Sequence, residues 1–364
     1  MGFNCGIVGL PNIGKSTLFN ALTSTSAAEA ANYPFCTIDP NVGRVGVPDE
    51  RLDKLASLAR SQKIIPTQLE FVDIAGLVKG ASQGEGLGNQ FLGHILSVDA
   101  IIHVLRCFED DDITHVNGSV DPLRDLEIIE TELLLADLAS LQKRMPGLEK
   151  RSKQDSEAKE QFAMAQKILP QLENGIQLSK VKWTEEETEL LKKMNFLTFK
   201  PMLYVCNVSE ADVNTGNEYT QKIETYAQQN AGMSVIISAA IEAEISQLSV
   251  SEQKEFLESL GMAQTGLANI VRAGYELLGL STYFTVGPKE ARAWTIKKGF
   301  KAPQAAGVIH TDFERGFICA ETISYADYVS CGGESQAKTA GKWRQEGKEY
   351  TVQDGDVINF RFNV

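Results

Sequence analysis

Residues 9–17 read Gly9-Leu10-Pro11-Asn12-Ile13-Gly14-Lys15-Ser16-Thr17, and they match the phosphate-loop pattern G-x-x-x-x-G-K-S/T without a gap. The mostly apolar run before them, Phe3–Val8, predicts a short buried strand. The residues after them, up to Leu22, have the apolar spacing of a helix face. Strand, glycine-rich loop and helix form the context in which this motif binds phosphate. The sequence therefore predicts a site for a nucleoside triphosphate.

The phosphate loop also predicts how the triphosphate is held. Gly9 and Gly14 let the backbone wrap the phosphates, so that successive N–H groups and the helix N-terminus face negative charge. Lys15 is long enough to reach the β- and γ-phosphates, and the Ser16 hydroxyl can ligate Mg²⁺. Mg²⁺ is therefore the expected cofactor.

Two later segments supply further predicted ligands. Thr37 lies in an extended segment between two prolines, where a switch loop offers a hydroxyl to Mg²⁺ and an N–H to the γ-phosphate. Asp73 follows the apolar strand 69–72 in the arrangement of a Walker B motif and is expected to hold Mg²⁺ through water. The N–H of Gly76 is expected to sense the γ-phosphate.

The residue after Gly76 is informative by its chemistry. Ras-type switches carry Gln there to orient the attacking water, whereas this chain has Leu77, which can form no side-chain hydrogen bond. Another group must place the water, or hydrolysis is very slow. His115, in the polar loop 112–118, is the candidate because that loop could fold over the nucleotide. The alternative is an exposed loop histidine without a catalytic role.

A third motif concerns the base. The predicted strand 201–206 ends in Asn207-Val208-Ser209-Glu210, where G proteins carry the guanine-reading N-K-x-D. Val208 replaces the Lys whose stem covers the base, and Glu210 replaces the Asp that accepts hydrogen bonds from guanine. Weak guanine selectivity and a preference for ATP over GTP are expected, because misplaced hydrogen bonds cost affinity steeply. Ser238 opens the last base-proximal loop.

The rest of the chain predicts two further parts. Apolar residues recur at 4-3-4-3 spacing from Leu134 to Leu148 and at 3-4-3-4 spacing from Phe162 to Ile176, as in the seams of two opposed helices. A helical hairpin over 128–195 is therefore expected. From residue 280 onward, alternating strands and a short helix indicate a small β-grasp-like fold. The Ala/Ser/Thr-rich stretch 23–32 is expected to be flexible.

Composition excludes several classes of protein. The chain has 364 residues, of which 43% are hydrophobic and 23% charged, as in soluble globular proteins of two or three domains. We find no secretory signal and no apolar run long enough for a membrane helix. Six cysteines without a C-x-x-C pair indicate reduced thiols in a cytoplasmic protein. The net charge of −13 argues against general nucleic-acid affinity, although 280–364 is close to neutral.

Taken together, the phosphate loop, residues 73–77, the segment 207–210, the helical insertion and the tail resemble the YchF family of Obg-like ATPases over essentially the whole chain. The resemblance implies an α/β P-loop NTPase with a Ras-like G domain, an inserted α-helical coiled-coil hairpin and a C-terminal β-grasp (TGS) domain. The expected boundaries are 1–127 and 196–279 for the G domain, 128–195 for the insertion and 280–364 for the TGS domain.

The resemblance also implies roles for individual residues. Val208 would contact adenine through its backbone, alongside Asn207, Glu210 and Ser238 near the base. Mg²⁺ would be held by Ser16 and Thr37, and His115 would replace the missing Gln. ATP would be bound by the phosphate loop, namely by Asn12, Ile13, Gly14, Lys15, Ser16 and Thr17.

Three functions follow as hypotheses. The first is a slow ATPase that acts as a nucleotide-controlled switch on the ribosome, either its large subunit or the whole particle, with RNA contacts through the TGS domain and the insertion. The second is a conventional GTPase of the Obg class, which Val208 and Glu210 disfavour. The third is a ribosome- or RNA-binding adaptor in which nucleotide only orders the switch loops, and Leu77 keeps this hypothesis open.

Overall fold

The computed structural model describes residues 3–30, 41–74, 87–230 and 232–363. They form two compact units. The larger unit contains Phe3–Arg44 and Glu70–Ala273, and the smaller unit contains Val45–Leu69 and 274–363. Thr37, Gly76 and Leu77 lie outside the described residues, so the roles expected for them stay predictions.

Strands and helices are interspersed along the described residues, with three successive α-helices before the strand that begins at Met202 and three more after the strand that ends at Ile237. The first part contains β1 (Asn4–Val8), α1 (Lys15–Ala30), β2 (Val42–Gly46), α2 (Glu50–Ala59), β3 (Lys63–Ile65), β4 (Gln68–Asp73), α3 (Leu87–Ser97), β5 (Ala100–Arg106), α4 (Pro122–Arg151), α5 (Ser156–Glu173), α6 (Glu185–Met194) and β6 (Met202–Asn207). The second part contains α7 (Glu218–Gln229), β7 (Met233–Ile237), α8 (Ala239–Ile245), α9 (Val250–Ser259), α10 (Gly266–Leu277), β8 (Leu280–Val286), β9 (Glu290–Lys297), α11 (Ala302–Ile309), α12 (Thr311–Arg315), β10 (Phe317–Ser324), α13 (Tyr325–Cys331), α14 (Glu334–Thr339), β11 (Arg344–Glu346) and β12 (Asp356–Phe362).

The phosphate loop follows β1, which is an inner strand of a six-stranded sheet with the order β2-β4-β1-β5-β6-β7. β1 pairs in parallel with β4 and β5, and β6 pairs in parallel with β5 and β7. The carboxyl ends of these five strands therefore meet at one edge, which is where open α/β sheets bind their ligands. Apart from Thr37, the candidate site residues lie at the ends of β1, β4, β5, β6 and β7 or follow these strands along the chain.

Helix α1 is longer than expected. The stretch after Leu22 was expected to be flexible, but the helix continues to Ala30. Two hydroxyls bond back to the preceding turn: Thr23 donates to the carbonyls of Phe19 and Asn20, both at 3.0 Å, and Ser24 donates to Asn20 at 2.7 Å. The high helix propensity of alanine favours the longer helix, and these bonds satisfy the hydroxyl groups within it.

The helical insertion packs along the predicted seam. Leu141 and Leu148 of α4 lie in one buried cluster with Ala165 and Leu172 of α5, and the other seam residues border that cluster. Ile176 is the exception, with 39% of its surface exposed, because α5 ends at Glu173. Helix α6 begins with a capping box formed by Thr184 and Glu187.

Helix α4 begins before the predicted insertion. It starts at Pro122, and Leu126, Ile129 and Leu133 pack in the core cluster that also holds strand residues of the parallel sheet. The Glu130 carboxylate accepts hydrogen bonds from the hydroxyls of Tyr204 at 2.7 Å and Tyr226 at 2.6 Å. One continuous helix therefore packs in the core of the parallel sheet with its first part and in the hairpin with its later part.

The smaller unit is built on a mixed sheet with the order β11-β10-β12-β8-β9-β3. β8 and β9 are antiparallel, whereas β12 runs parallel to β8 and β3 runs parallel to β9. Helix α2 packs in this unit, since Leu52 and Leu55 share a buried cluster with Phe284 and Ala293. Residues 45–69, which the sequence analysis places in the G domain, thus group with the C-terminal residues.

The structure also bears on the expected absence of membrane helices and on the state of the cysteines. Among the described residues, no helix is both long enough and apolar enough to span a membrane. The cysteines of the described ranges, Cys5, Cys107, Cys206, Cys319 and Cys331, are free thiols. Burial raises the pKa of the Cys5 thiol to about 12, so this group stays protonated near neutral pH.

Candidate functional site

The phosphate loop connects β1 to α1 and depends on two glycines. Gly14 has a φ of +90°, and a Cβ there would lie 2.4 Å from Nδ2 of Asn207. A Cβ on Gly9 would lie 2.1 Å from Cδ1 of Ile13. Any side chain at either position would displace the loop, and Gly14 also has a backbone conformation that favours glycine. The two glycines therefore allow the loop backbone to come close to a ligand.

Two charged groups face each other at the carboxyl ends of β1 and β4. The Lys15 ammonium forms an ion pair with the Asp73 carboxylate, and the two side chains are 11% and 21% exposed. The Ser16 hydroxyl lies in the first turn of α1 and is exposed. A hydroxyl and a carboxylate are the hard oxygen donors that Mg²⁺ prefers, with substrate phosphates and water completing its shell. The residues present therefore fit Mg²⁺.

Asn207, at the end of β6, braces the phosphate loop. Its Nδ2 donates to the Ile13 carbonyl at 2.9 Å, and its Oδ1 accepts from the Ala239 N–H at 2.9 Å. The residue is 3% exposed, so both hydrogen bonds are shielded from water. The side-chain amide is thereby engaged within the protein, between the phosphate loop and the start of α8.

The remaining base-proximal residues differ in their surroundings. Val208 is 2% exposed within the core, and its N–H donates to the Ile237 carbonyl at 2.8 Å. Glu210 is exposed and begins a 3₁₀ turn. Ser238 is 1% exposed, and its hydroxyl finds no hydrogen-bond partner within the described residues. The side chain of Val208 is thus committed to the core and cannot cover a base as a Lys stem does.

His115 is not the exposed loop residue that one reading of the sequence suggested. It is 7% exposed, and its Nε2 lies 2.8 Å from Oδ2 of Asp125 in the first turn of α4. Its Nδ1 accepts a hydrogen bond from the Asn117 N–H at 3.1 Å. The buried Asp125 carboxylate also accepts a hydrogen bond from the Asn117 side chain at 3.0 Å, which holds this loop against α4. Nδ1 is therefore hydrogen-bonded, whereas Nε2 and Oδ2 of Asp125 lie close together but form no hydrogen bond within the described residues.

The loop that carries His115 is attached to the phosphate loop. The Asn12 side chain donates to the Thr114 carbonyl at 3.2 Å. Asp125 is a residue of this region that the sequence analysis missed, because it resembles any acidic residue of a first helical turn.

Comparison with known proteins gives a consistent result along the chain. A family model described as "50S ribosome-binding GTPase" matches residues 4–131, and the model YchF-GTPase_C, described as "Protein of unknown function (DUF933)", matches residues 280–363. The chain is similar to "Ribosome-binding ATPase YchF" of Haemophilus influenzae, with 56% identity over 365 residues and full coverage of both chains.

Two further similarities extend beyond bacteria. "Obg-like ATPase 1" of Pongo abelii is 49% identical over 368 residues, which cover 99% of this chain and 92% of that protein. The structure of the Schizosaccharomyces pombe YchF GTPase is 41% identical and has a TM-score of 0.88, with 99% of this chain and 98% of that chain covered. These findings confirm the predicted fold class. The chain belongs to the YchF family of Obg-like ATPases, which are P-loop nucleoside triphosphate hydrolases.

Proposed function

We propose that this protein is a Mg²⁺-dependent ATPase that prefers ATP to GTP and acts as a nucleotide-controlled, ribosome-associated switch. The observation that supports ATP preference is the base-proximal segment. Val208 is buried in the core and its N–H is bonded to Ile237, so no cationic stem covers the base. Glu210 has one methylene more than the Asp that reads guanine, and adenine gains nothing from its carboxylate.

The proposed reaction is in-line attack of water on the γ-phosphate, which breaks the β–γ phosphoanhydride bond. The Lys15 ammonium would exchange Asp73 for the β- and γ-phosphates, whose charge it balances. Mg²⁺, held by Ser16 and Thr37 directly and by Asp73 through water, would neutralise charge on the same oxygens. The N–H groups of the phosphate loop and of Gly76 would hold the phosphates in line with the water.

His115 is proposed to place the attacking water. In the conformation described, Nε2 faces Asp125 and Nδ1 accepts from Asn117. The ring is buried, so a nitrogen becomes available to a water molecule only when the imidazole moves out of this position. Rearrangement of this loop is therefore part of the proposed cycle, and it gives a physical reason for slow turnover by the protein alone.

The first test is a titration of the purified protein with fluorescent ATP and GTP analogues in Mg²⁺ buffer. We expect ATP to bind at least ~10-fold more tightly than GTP, because the guanine-reading hydrogen bonds are misplaced. A Ser16→Ala variant measured with and without Mg²⁺ serves as a control for the metal. Tighter GTP binding would contradict the proposal and favour the conventional GTPase.

The ribosome is the proposed partner, because relatives at 54–56% identity are named ribosome-binding ATPases. The proposal includes RNA contacts through the C-terminal domain and the insertion, and it places the protein in the cytoplasm. We expect ribosomes to stimulate ATP turnover and to bind the ATP and ADP states with different affinities. Turnover measurements and co-sedimentation check this. No stimulation, with equal binding in the apo, ADP and ATP states, would leave only the adaptor function.

A further inference from the structure

Arg106 is a buried cation at the carboxyl end of β5. It is 1% exposed and is among the largest fully buried side chains of the described residues. No carboxylate of the described ranges forms an ion pair with it. A guanidinium keeps its charge in a protein, and burying a charge without partners costs several kcal/mol. Its partners must therefore be sought among neutral groups.

These partners are three backbone carbonyls of a single loop. Nε donates to Phe108 at 3.1 Å, Nη1 donates to Ile113 at 2.8 Å and Nη2 donates to Asp110 at 3.1 Å. The guanidinium also lies over the Phe108 ring, 4.8 Å from its centroid. The planar guanidinium donates from several nitrogens in one fixed geometry, whereas the donors of a lysine share a single nitrogen at the end of a flexible stem. The loop therefore folds around one guanidinium.

The same loop carries His115. Ile113 is two residues before the histidine, and the carbonyl of the intervening Thr114 accepts from Asn12 of the phosphate loop. Arg106 thus attaches the loop to the end of β5, while Asn12 attaches it to the phosphate loop. Removing the guanidinium would leave three carbonyls to find other donors, and the segment that carries the imidazole would shift.

We propose that Arg106 is a positioning residue for His115, which it aligns for catalysis by shaping the loop 107–115. This inference rests on the proposed role of His115. A positioning role differs from a purely structural one in what it changes. It acts on turnover through His115 and leaves the binding of ATP unaffected, whereas general destabilisation lowers both in proportion to the folded fraction.

The test compares Arg106→Lys with a matched control, Arg144→Lys. Arg144 also donates to a carbonyl, that of Met194, and also lies over a phenylalanine ring, that of Phe196, but within the helical insertion. We expect Arg106→Lys to lower kcat about 10- to 100-fold, because small misplacements of catalytic groups have effects of this size. The Kd of ATP should change less than about 3-fold. Arg144→Lys should retain both values.

Two further measurements assign the effect to His115. In a His115→Ala background, adding Arg106→Lys should lower kcat no further, since the two residues act as one unit. Amide exchange over 108–118 should be faster in Arg106→Lys and unchanged in Arg144→Lys. Arg106→Gln, which has no charge to bury, replaces the Lys variant if that variant does not fold.

The outcomes separate the two proposals. If His115→Ala retains wild-type turnover, the proposed role of His115 fails and the inference fails with it. If His115→Ala is slow but the Arg106 variants keep wild-type kcat, the inference alone is overturned. It is also overturned if Arg106→Lys lowers kcat by the same factor with and without His115.

Discussion

The Lys15→Ala variant is expected to lose ATP hydrolysis by about 100-fold or more, because one preorganised charge at the reacting phosphate is worth about that much. The Lys15 ammonium is the cation of the phosphate loop, and it pairs with the Asp73 carboxylate. Its replacement removes the positive charge that would meet the β- and γ-phosphates and also leaves Asp73 without this ion pair. Both changes place uncompensated negative charge at the phosphate site. Steady-state phosphate release and a binding titration measure the effect.

A matched control uses the same substitution elsewhere. Lys159 is exposed on α5 of the helical insertion, so Lys159→Ala removes an equal charge far along the chain from the phosphate loop. We expect it to retain wild-type turnover and ATP affinity. Thermal unfolding of both variants shows whether they are folded. If a folded Lys15→Ala variant hydrolysed ATP at the wild-type rate, the assignment of the phosphate loop as the reaction site would be wrong.

The second large effect is expected in acid stability, and it arises from His103 in β5. The residue is fully buried, and neither ring nitrogen has a hydrogen-bond partner among the described residues. Burial lowers the pKa of His103 from 6.5 to about 3. The unfolded chain therefore binds a proton between these two values, while the folded chain does not. The stability that this group contributes is therefore fully present above pH 6.5 and is lost as the pH falls toward 3.

The His103→Leu variant tests this relation. Between pH 7 and pH 4, we expect the free energy of unfolding of the wild type to fall by about 3 kcal/mol more than that of the variant. Urea unfolding at several pH values measures the difference, in which the other titrating groups cancel. Val104→Ala changes the neighbouring core position, which is 1% exposed, without altering a titratable group. It should retain the wild-type pH dependence, and an identical pH dependence in His103→Leu would contradict the account.

Local patterns predicted much of the fold. The limits of β1 and β6 agree to within one residue with the predicted strands 3–8 and 201–206, and the seam of α4 and α5 agrees apart from Ile176. Such predictions succeed because a buried strand or a helical seam needs apolar residues at a period set by the backbone itself. They failed for α1, where hydroxyl groups that usually favour loops bond back to the helix instead.

Unit boundaries were harder to predict. Helix α4 packs on the core of the parallel sheet at its N-terminal end and continues into the hairpin. The amino-acid composition of the helix does not mark the point where one environment ends and the other begins. Residues 45–69 pack with residues more than two hundred positions later, such as Phe284. A sequence pattern describes which face of α2 is apolar, but it does not describe which surface covers that face.

The candidate site likewise combines features that the sequence specifies with features that only the fold specifies. Amino-acid identity alone specifies its chemistry: a phosphate loop with its Lys15, a Leu where Gln orients water, and Val208 and Glu210 where guanine is read. The fold specifies the placement of the side chains. The Asn207 side chain donates a hydrogen bond to the carbonyl of Ile13, 194 positions earlier, and the Asn12 side chain donates to the carbonyl of Thr114, 102 positions later. His115 faces the buried carboxylate of Asp125, and Arg106 donates hydrogen bonds to three backbone carbonyls. These contacts form because parallel strands bring their carboxyl ends to one edge, and strand order is a property of the folded sheet rather than of any segment.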